Sequence, residues 1–418
     1  MSSDSDVDRI SSLPKNVIEA ILMCLPIRDA VRTSILSSGW RYEWSTLPEL
    51  IFLRECFKRP ECQTQTEFDR KFVKVVDQVL LLHRGPIHTF KLSVDVESCV
   101  DMDRWILFLS RNGIKSFTLD VWRGQVYKLP SCLLSCVDLN YLELYRCNFS
   151  PPPSFKGFSK LTVMDIQGVN FTEYGLRTLM SQCPSLRKLV VMNIEGYTRV
   201  KLCARELENL SIEGKFEDLH FKSTPLLAVV SIKLLNIVRD QPVTSETSCR
   251  IVKVLGHLPS IERLELLEHT LQNLAVDDVP VCLPVICPVK HLTVDINFED
   301  MQQMLAAFCI FRSSLVLQKL YIKAISVENK SAASADGFWE GSGEDFSCTF
   351  GHLQVVEVTG FTGIASEVKL VGFVLANAPV LERLQLKFKE NVGNTDNIFR
   401  ELIRFRRISP KAEIVVPA

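Results

Sequence analysis

The chain has 418 residues, 47% hydrophobic and 23% charged, the mix of a folded globular protein rather than a disordered one. Forty-eight basic side chains stand against 49 acidic ones, and a net charge of -1 lacks the basic excess with which proteins usually hold a nucleic-acid backbone. No apolar run reaches the roughly 20 residues that cross a bilayer; Val371 to Leu381 is the best stretch and is too short.

Met1 to Asp8 is polar and acidic. It has neither the basic start and apolar run of a secretion signal nor the acid-poor character of a mitochondrial presequence. The expected location is therefore intracellular, in the nucleus and/or cytoplasm. Fourteen cysteines are scattered through the chain, and the nearest pairs, Cys132/Cys136 and Cys282/Cys287, lack a second pair at metal-binding spacing. The seven histidines are also dispersed, so neither a metal nor any other cofactor is expected.

Leu13-Pro14 opens a helical stretch in which Ile18, Ile21, Leu22 and Leu25 follow an i, i+3, i+4, i+7 stripe. Leu25-Pro26 breaks it. Asp29 is placed to cap a second helix, Ala30 to Leu36, carrying Val31 and Ile35 one turn apart. Trp40 and Trp44 follow and are expected to seat this module against the rest of the chain. About forty residues bury little apolar surface alone. Leu13, Pro14, Ile18, Leu22, Leu25, Pro26, Ile27, Val31 and Ile35 are thus either the anchors of a helix-in-groove contact with a partner or an intramolecular core.

From residue 87 onward the pattern apolar-x-x-apolar-x-apolar recurs at intervals of 20 to 36 residues. It occurs at Ile87/Phe90/Leu92, Ile114/Phe117/Leu119, Leu139/Leu142/Leu144, Leu161/Met164/Ile166, Leu186/Leu189/Val191 and Leu207/Leu210/Ile212. It continues at Leu227/Val230/Ile232, Ile261/Leu264/Leu266, Val289/Leu292/Val294, Leu317/Leu320/Ile322, Leu353/Val356/Val358 and Leu381/Leu384/Leu386. Most intervals lie in or near the period of about 20–29 residues of leucine-rich repeats. A short strand with one apolar face cannot bury that face alone, so each unit stacks on the next and a return segment covers the outside.

Some return segments read as helices: Ile251, Val254, Leu255 and Leu258 form one stripe, Leu370, Phe373, Val374 and Asn377 another. Pro184, Pro225, Pro259 and Pro379 lie two residues before the first apolar position of a repeat, and Pro288 one before, ending the helix and extending the chain. The fold class is α/β: a small helical module followed by a solenoid with parallel strands on its concave face and helices or loops outside. A doubly wound sheet is the alternative, but many connections are too short for a helix with two loops.

In such strands the residues between the apolar ones face outward. Lys91, Glu143, Tyr145, Asp165, Gln167, Ser211, Glu213, Lys233, Glu265, Asp295, Tyr321, Lys323, Glu357, Gln385 and Lys387 form this surface. Glu143, Tyr145, Asp165, Gln167, Glu213, Glu265, Asp295 and Tyr321 are the candidates for gripping a bound protein, the alternative being a solvated face. A polar insertion, Ser326 to Cys348, carries Phe338 and Trp339, read as a tether to the solenoid. Its Gly341-Ser342-Gly343 is followed by no Gly-Lys-Ser/Thr and is no phosphate loop. Arg400, Glu401, Arg404, Arg406 and Arg407 give the end of the chain a polar outer face, as a terminal cap requires. No nucleophile motif or assembled triad emerges.

Ile10-Ser11-Ser12-Leu13-Pro14 with Val17-Ile18, Leu25 through Ser37, and Trp40-Arg41-Tyr42-Glu43-Trp44 closely resembles a plant F-box. Val356 to Phe361, Leu375 to Glu382 and Ile408 to Ile414 resemble the FBD segment of the same family. With the repeats between, the chain resembles the plant F-box/FBD/leucine-rich-repeat proteins. Gly39 departs from the family's usual lysine or arginine and, in a helix, costs about 1 kcal/mol.

The resemblance implies an F-box at 8–55, repeats at 80–345, and an FBD-like segment at 346–418 that continues and caps the solenoid. It further implies docking on a Skp-type adaptor, and through it a cullin ubiquitin ligase of the SCF type, with the repeats holding the protein to be ubiquitylated. On this reading the chain is a non-catalytic receptor with no membrane or nucleic-acid partner. An interaction scaffold working outside any ligase is the alternative.

Overall fold

A computed structural model of the chain describes residues 10, 13–56, 64–95, 101–152, 154–169, 180–194, 199–215, 218–221, 223–235, 255, 258–275, 279–283, 287–325, 338–339, 348–390 and 395–416. It divides into two compact units, Met1–Gly196 and Tyr197–Ala418.

The first unit begins with two short helices, α1 (Lys15–Met23) and α2 (Ile27–Arg32). Pro14 and Pro26, both in extended conformation, occupy the position just before each helix. Proline suits a helix start because its missing N–H has no partner there anyway. α2 therefore starts at Ile27 rather than Ala30. Asp29 does not cap it but lies within its first turn, 3.7 Å from Arg32. A 3-10 turn, Thr33–Ile35, carries the segment on. Gly39 lies in turns rather than a helix, and a Cβ added there meets nothing closer than Ser37 Oγ at 3.7 Å, so the expected helix cost does not arise.

The strands of this unit follow: β1 (Glu49–Phe52), β2 (Thr89–Asp95), β3 (Ser116–Arg123), β4 (Tyr127–Lys128), β5 (Tyr141–Tyr145), β6 (Cys147–Asn148), β7 (Val163–Gln167) and β8 (Lys188–Ile194). α3 (Gln65–Leu82) connects β1 to β2, and α4 (Met102–Ser110) connects β2 to β3. β1, β2, β3, β5, β7 and β8 pair in that order, all parallel, while β4 pairs with β6 to one side. The expected alternation holds. Leu142 and Leu144 of β5 are fully buried, and the alternate residues Tyr141, Glu143 and Tyr145 are half-buried. Leu50, Phe90 and Phe117 share one register row, and the Phe90 ring lies 6.1 Å from that of Phe117 along it and 5.7 Å from that of Phe52, which stands one row over.

The second unit contains β9 (Arg199–Leu202), β10 (Asn209–Gly214), β11 (Asp218–Phe221), β12 (Val229–Leu234), β13 (Arg263–Glu268), β14 (His291–Ile296), β15 (Lys319–Ala324), β16 (Val355–Phe361), β17 (Arg383–Phe388) and β18 (Glu413–Val415). Its helices are α5 (Thr270–Leu274), α6 (Met301–Ser313), α7 (Ala365–Asn377) and α8 (Thr395–Arg404). β10 and β12 through β18 pair parallel in chain order, and β9 pairs with β11 separately. The predicted helix stripe at Leu370 and Val374 is buried in α7. Of the stripe at Ile251 to Leu258, Leu255 and Leu258 are buried, while Ile251 and Val254 lie outside the described residues.

A shared turn introduces many of these strands. The N–H of Leu227 donates to the Thr224 carbonyl, Leu186 to Cys183, Leu381 to Ala378, and Leu47 to Trp44. Pro184, Pro225 and Pro379 stand at the second position of these turns, where their fixed φ is pre-set for a β-turn. The prolines thus mark turns that aim each strand, a narrower role than simply ending a helix.

Candidate interaction surfaces

The apolar residues of α1 divide sharply between its two sides. Ile18 and Leu22 are 6% and 0% exposed, and Ile27 of α2 is likewise buried. These three expected adaptor anchors instead form the module's own core. Leu13 and Val31 are half-buried, and Pro14, Leu25, Pro26 and Ile35 are exposed. The sequence reading missed the other members of the outward face, Val17, Met23 and Leu36, and did not separate Ile21 from its buried neighbours. Val17, Ile21, Met23 and Leu25 are 37%, 39%, 58% and 36% exposed, and Ile35 reaches 84%. Isolated surface leucines need no explanation, but a cluster of this kind on a segment of two short helices does.

Trp40 turns back within the module, its indole N–H donating to the Ile10 carbonyl at 3.1 Å. The segment around Trp44 makes the link toward α3. Arg84 N–H donates to the Ser45 carbonyl at 2.8 Å, His83 Nε2 lies 2.9 Å from the Leu47 carbonyl, and the Arg84 guanidinium sits 5.0 Å over the Tyr42 ring.

On the open side of the first unit's sheet, Glu143 is the hub. It accepts from Tyr145 Oη at 2.7 Å, Thr118 Oγ1 at 2.9 Å and Tyr141 Oη at 3.1 Å, with the Lys91 ammonium 4.0 Å away. Burial pushes this carboxyl up, but those hydroxyls and the lysine outweigh it, so Glu143 titrates below the ordinary glutamate range. Burial, with Glu143 next to it, pushes the Tyr141 phenol up to about 12. Gln167 Nε2 donates to Asp165 at 3.0 Å, and Asp165 is pushed up by burial, with Glu143 adding to the effect. Glu143, Tyr145, Asp165 and Gln167 are therefore brought together, but as one another's partners. Thr118 and Tyr141 belong to the same network and were missed. Their signal was available, since Tyr141 lies two residues before Glu143 on the same strand face.

In the second unit, Glu265 and Tyr321 are half-buried on one register row, with Thr293 between them and Glu357 beyond. Glu213 lies 3.5 Å from Lys233, which also reaches Glu268 at 2.9 Å. Asp295 departs from expectation. It is 3% exposed and accepts the Glu268 N–H at 2.7 Å. Glu268 has a positive φ of 53°, so the carboxylate holds a turned-out backbone rather than facing solvent. Among the described residues no group of His, Cys, Asp or Glu is arranged to hold a metal, and no helix is long and apolar enough to cross a membrane.

Comparison with known proteins agrees with this architecture. A family profile described as "At1g61320/AtMIF1, LRR domain" matches residues 79–404, and the F-box domain profile matches residues 10–52. The chain is 34% identical over 417 residues to the Arabidopsis thaliana F-box/FBD/LRR-repeat protein At1g13570, covering 98% of each. It is 24% identical to F-box/LRR-repeat protein 13 of the same plant, covering 98% of this chain and 96% of the relative. Helices opened by Leu-Pro, a parallel strand in nearly every repeat and likeness along the whole length lead to one assignment: the chain belongs to the plant F-box/FBD/leucine-rich-repeat protein family.

Proposed function

We propose that this chain is a non-catalytic substrate-recognition subunit of an SCF-type ubiquitin ligase, working in the nucleus or cytoplasm. The F-box docks a Skp-type adaptor and through it the cullin, and the repeats hold the target protein. The observation that carries this reading is the exposed apolar face of α1, with Pro14, Val17, Ile21 and Leu25 turned outward from a segment matched by the F-box profile. Exposed apolar anchors at helical spacing are what a partner's groove would bury, whereas Ile18 and Leu22 hold the module together. On the repeats, the half-buried rows around Glu143 and Glu265–Tyr321 are the proposed target-facing surface.

The test is co-expression of the full chain with a plant Skp-type adaptor. Wild type is expected to co-purify in stoichiometric amount, and Val17→Glu/Ile21→Glu to lose the adaptor by about 100-fold or more while its circular dichroism spectrum stays unchanged. Capture that survives this change, or a wild-type chain that captures no adaptor, would defeat the assignment. Recruitment of cullin by the captured complex separates a ligase receptor from a scaffold that uses the adaptor alone.

A further inference from the structure

A second surface in the first unit lies apart from the α1 face. α2 and α3 face each other across an open space of about 780 Å³, floored by Trp44. Phe68, Phe72, Val75, Val79 and Leu82 line the α3 wall, and Val31 lines the α2 wall. The α3 positions recur at i, i+4, i+7, i+11 and i+14, one face of a helix. Fourteen residues of helix rise make that wall about 21 Å long, roughly four turns.

The rim is basic. Arg28 and Arg32 stand on the α2 side, Lys71 and Lys74 on the α3 side, and no carboxylate is among the lining residues described. Lys71 meets Glu67 at 2.6 Å and Arg32 meets Asp29 at 3.7 Å, both pairs substantially exposed. Arg28 donates to the Cys56 carbonyl at 3.1 Å, a neutral partner. Exposed pairs of this kind are worth little and exchange partners readily. Four cations thus border an apolar trough, with two carboxylates set outside it. Leu81 and Leu82, at the end of α3, are 84% and 47% exposed.

We infer that the trough between α2 and α3 is a docking groove for an acidic amphipathic helix carried by a protein partner. Both walls are helix faces with the side-chain spacing that receives i, i+3, i+4, i+7 anchors. The apolar floor takes those anchors, and the four cations take flanking carboxylates, favouring acidic partners and speeding their encounter. A nucleic acid or anionic surface would engage the rim but leave the floor unused. None of Pro14, Val17, Ile21 or Leu25 lines the groove, so the inference stands independently of adaptor docking at α1.

The experiment pans a phage-displayed library of random peptides, each roughly 16 residues or about four helical turns, on the full-length chain. The same library is panned on Arg32→Glu/Lys74→Glu, whose exposed positions leave circular dichroism and thermal melting unchanged. Peptides enriched on wild type are expected to carry apolar residues at helical spacing flanked by Asp or Glu. A synthetic consensus peptide is expected to bind the double variant about tenfold or more weakly, and a lysine-flanked copy to bind the double variant better than it binds wild type. Enriched peptides without acids or helical spacing, undiminished binding to the double variant, or no enrichment at all would overturn the proposal. Duplex DNA or anionic vesicles that compete fully with the consensus peptide would overturn it as well, assigning the rim to a polyanion. Adaptor capture is measured on the same double variant and is expected to match wild type, so failure at the groove and failure at α1 are read separately.

Discussion

Glu143 and Asp165 are direct neighbours across β5 and β7, yet their environments drive them in opposite directions. Glu143 is held ionised by the hydroxyls of Tyr145 and Thr118 and by Lys91, despite its burial. Because its folded-state pKa is depressed, its stabilising contribution is fully present above the unfolded glutamate value of about 4.3. That contribution is lost as pH falls further, through the depressed value. Asp165 is pushed up by burial and by Glu143, so ionising it costs stability as pH rises through its folded value. Thermal melts against pH are therefore expected to separate the two neutral variants. Glu143→Gln melts below wild type at neutral pH, and the gap closes on acidification below about pH 4. Asp165→Asn melts at or above wild type at neutral pH, with its advantage vanishing in acid. The same sign for both variants would show that the hydrogen-bond network, rather than its charges, governs this face. These residues share the alternating polar positions of neighbouring repeats. Period two therefore placed them on one face, but which would use one another as partners depended on cross-strand register, which no single repeat encodes.

At the scale of elements, the aromatic pair Phe338 and Trp339 packs against two helices, as a tether would. Phe338 is 1% exposed, with its ring centroid 5.1 Å from that of Phe308 in α6, and Trp339 lies 5.7 Å from Phe308 and 6.3 Å from Phe373 in α7. Phe338→Ala is expected to cost about 3 kcal/mol, the lower end of phenylalanine truncations in a core. The measurement is the urea midpoint, with hydrogen exchange read locally along α6; an unchanged midpoint would mean that Phe338 contributes little to this core. The aromatic pair stood out in sequence because the residues flanking it, 331–337 and 340–345, are small or polar. All twelve repeat strands were legible for a similar reason, since a fully buried strand face demands apolar residues without exception. β1 has the same phase, Leu47, Leu50 and Phe52, but was absorbed into the F-box segment at 8–55. β18 was hidden because its turn, Ser409 to Ala412, is followed by Ile414 one residue early, breaking the pattern. The α1 surface was harder to read. Val17, Ile18, Ile21, Leu22 and Met23 are apolar on nearly all sides of that helix, so periodicity located the helix without saying which stripe faces inward.

At the scale of the molecule, the physics of a repeat fold concentrates at its ends. Each strand is satisfied by its neighbours, so stability spreads through nearest-neighbour contacts, and the last unit must shield both an apolar core and a row of unpaired backbone groups. In the second unit β18 and α8 meet this need together. β18 pairs with β17 from Arg383↔Glu413 to Gln385↔Val415. α8 buries Leu402 to 1% exposure and sets Phe399 against Phe388 at 5.6 Å, while Phe388 stands edge-on to Phe361 at 5.3 Å. Arg400, Glu401, Arg404, Arg406 and Arg407 remain exposed. Ending the chain after Glu390 removes this cover, leaving the β17 edge open and Phe388 and Phe361 facing water. The truncated chain is expected to move from a discrete peak to heterogeneous high-mass material in size-exclusion chromatography. Its urea midpoint is expected to fall by several kcal/mol equivalent, on the order of two buried aromatic side chains. A truncated chain as soluble and as stable as the intact one would instead make β17 a self-sufficient end. The segment past residue 390 would then be free to serve recognition, and its exposed arginines would become the next residues to reverse in charge.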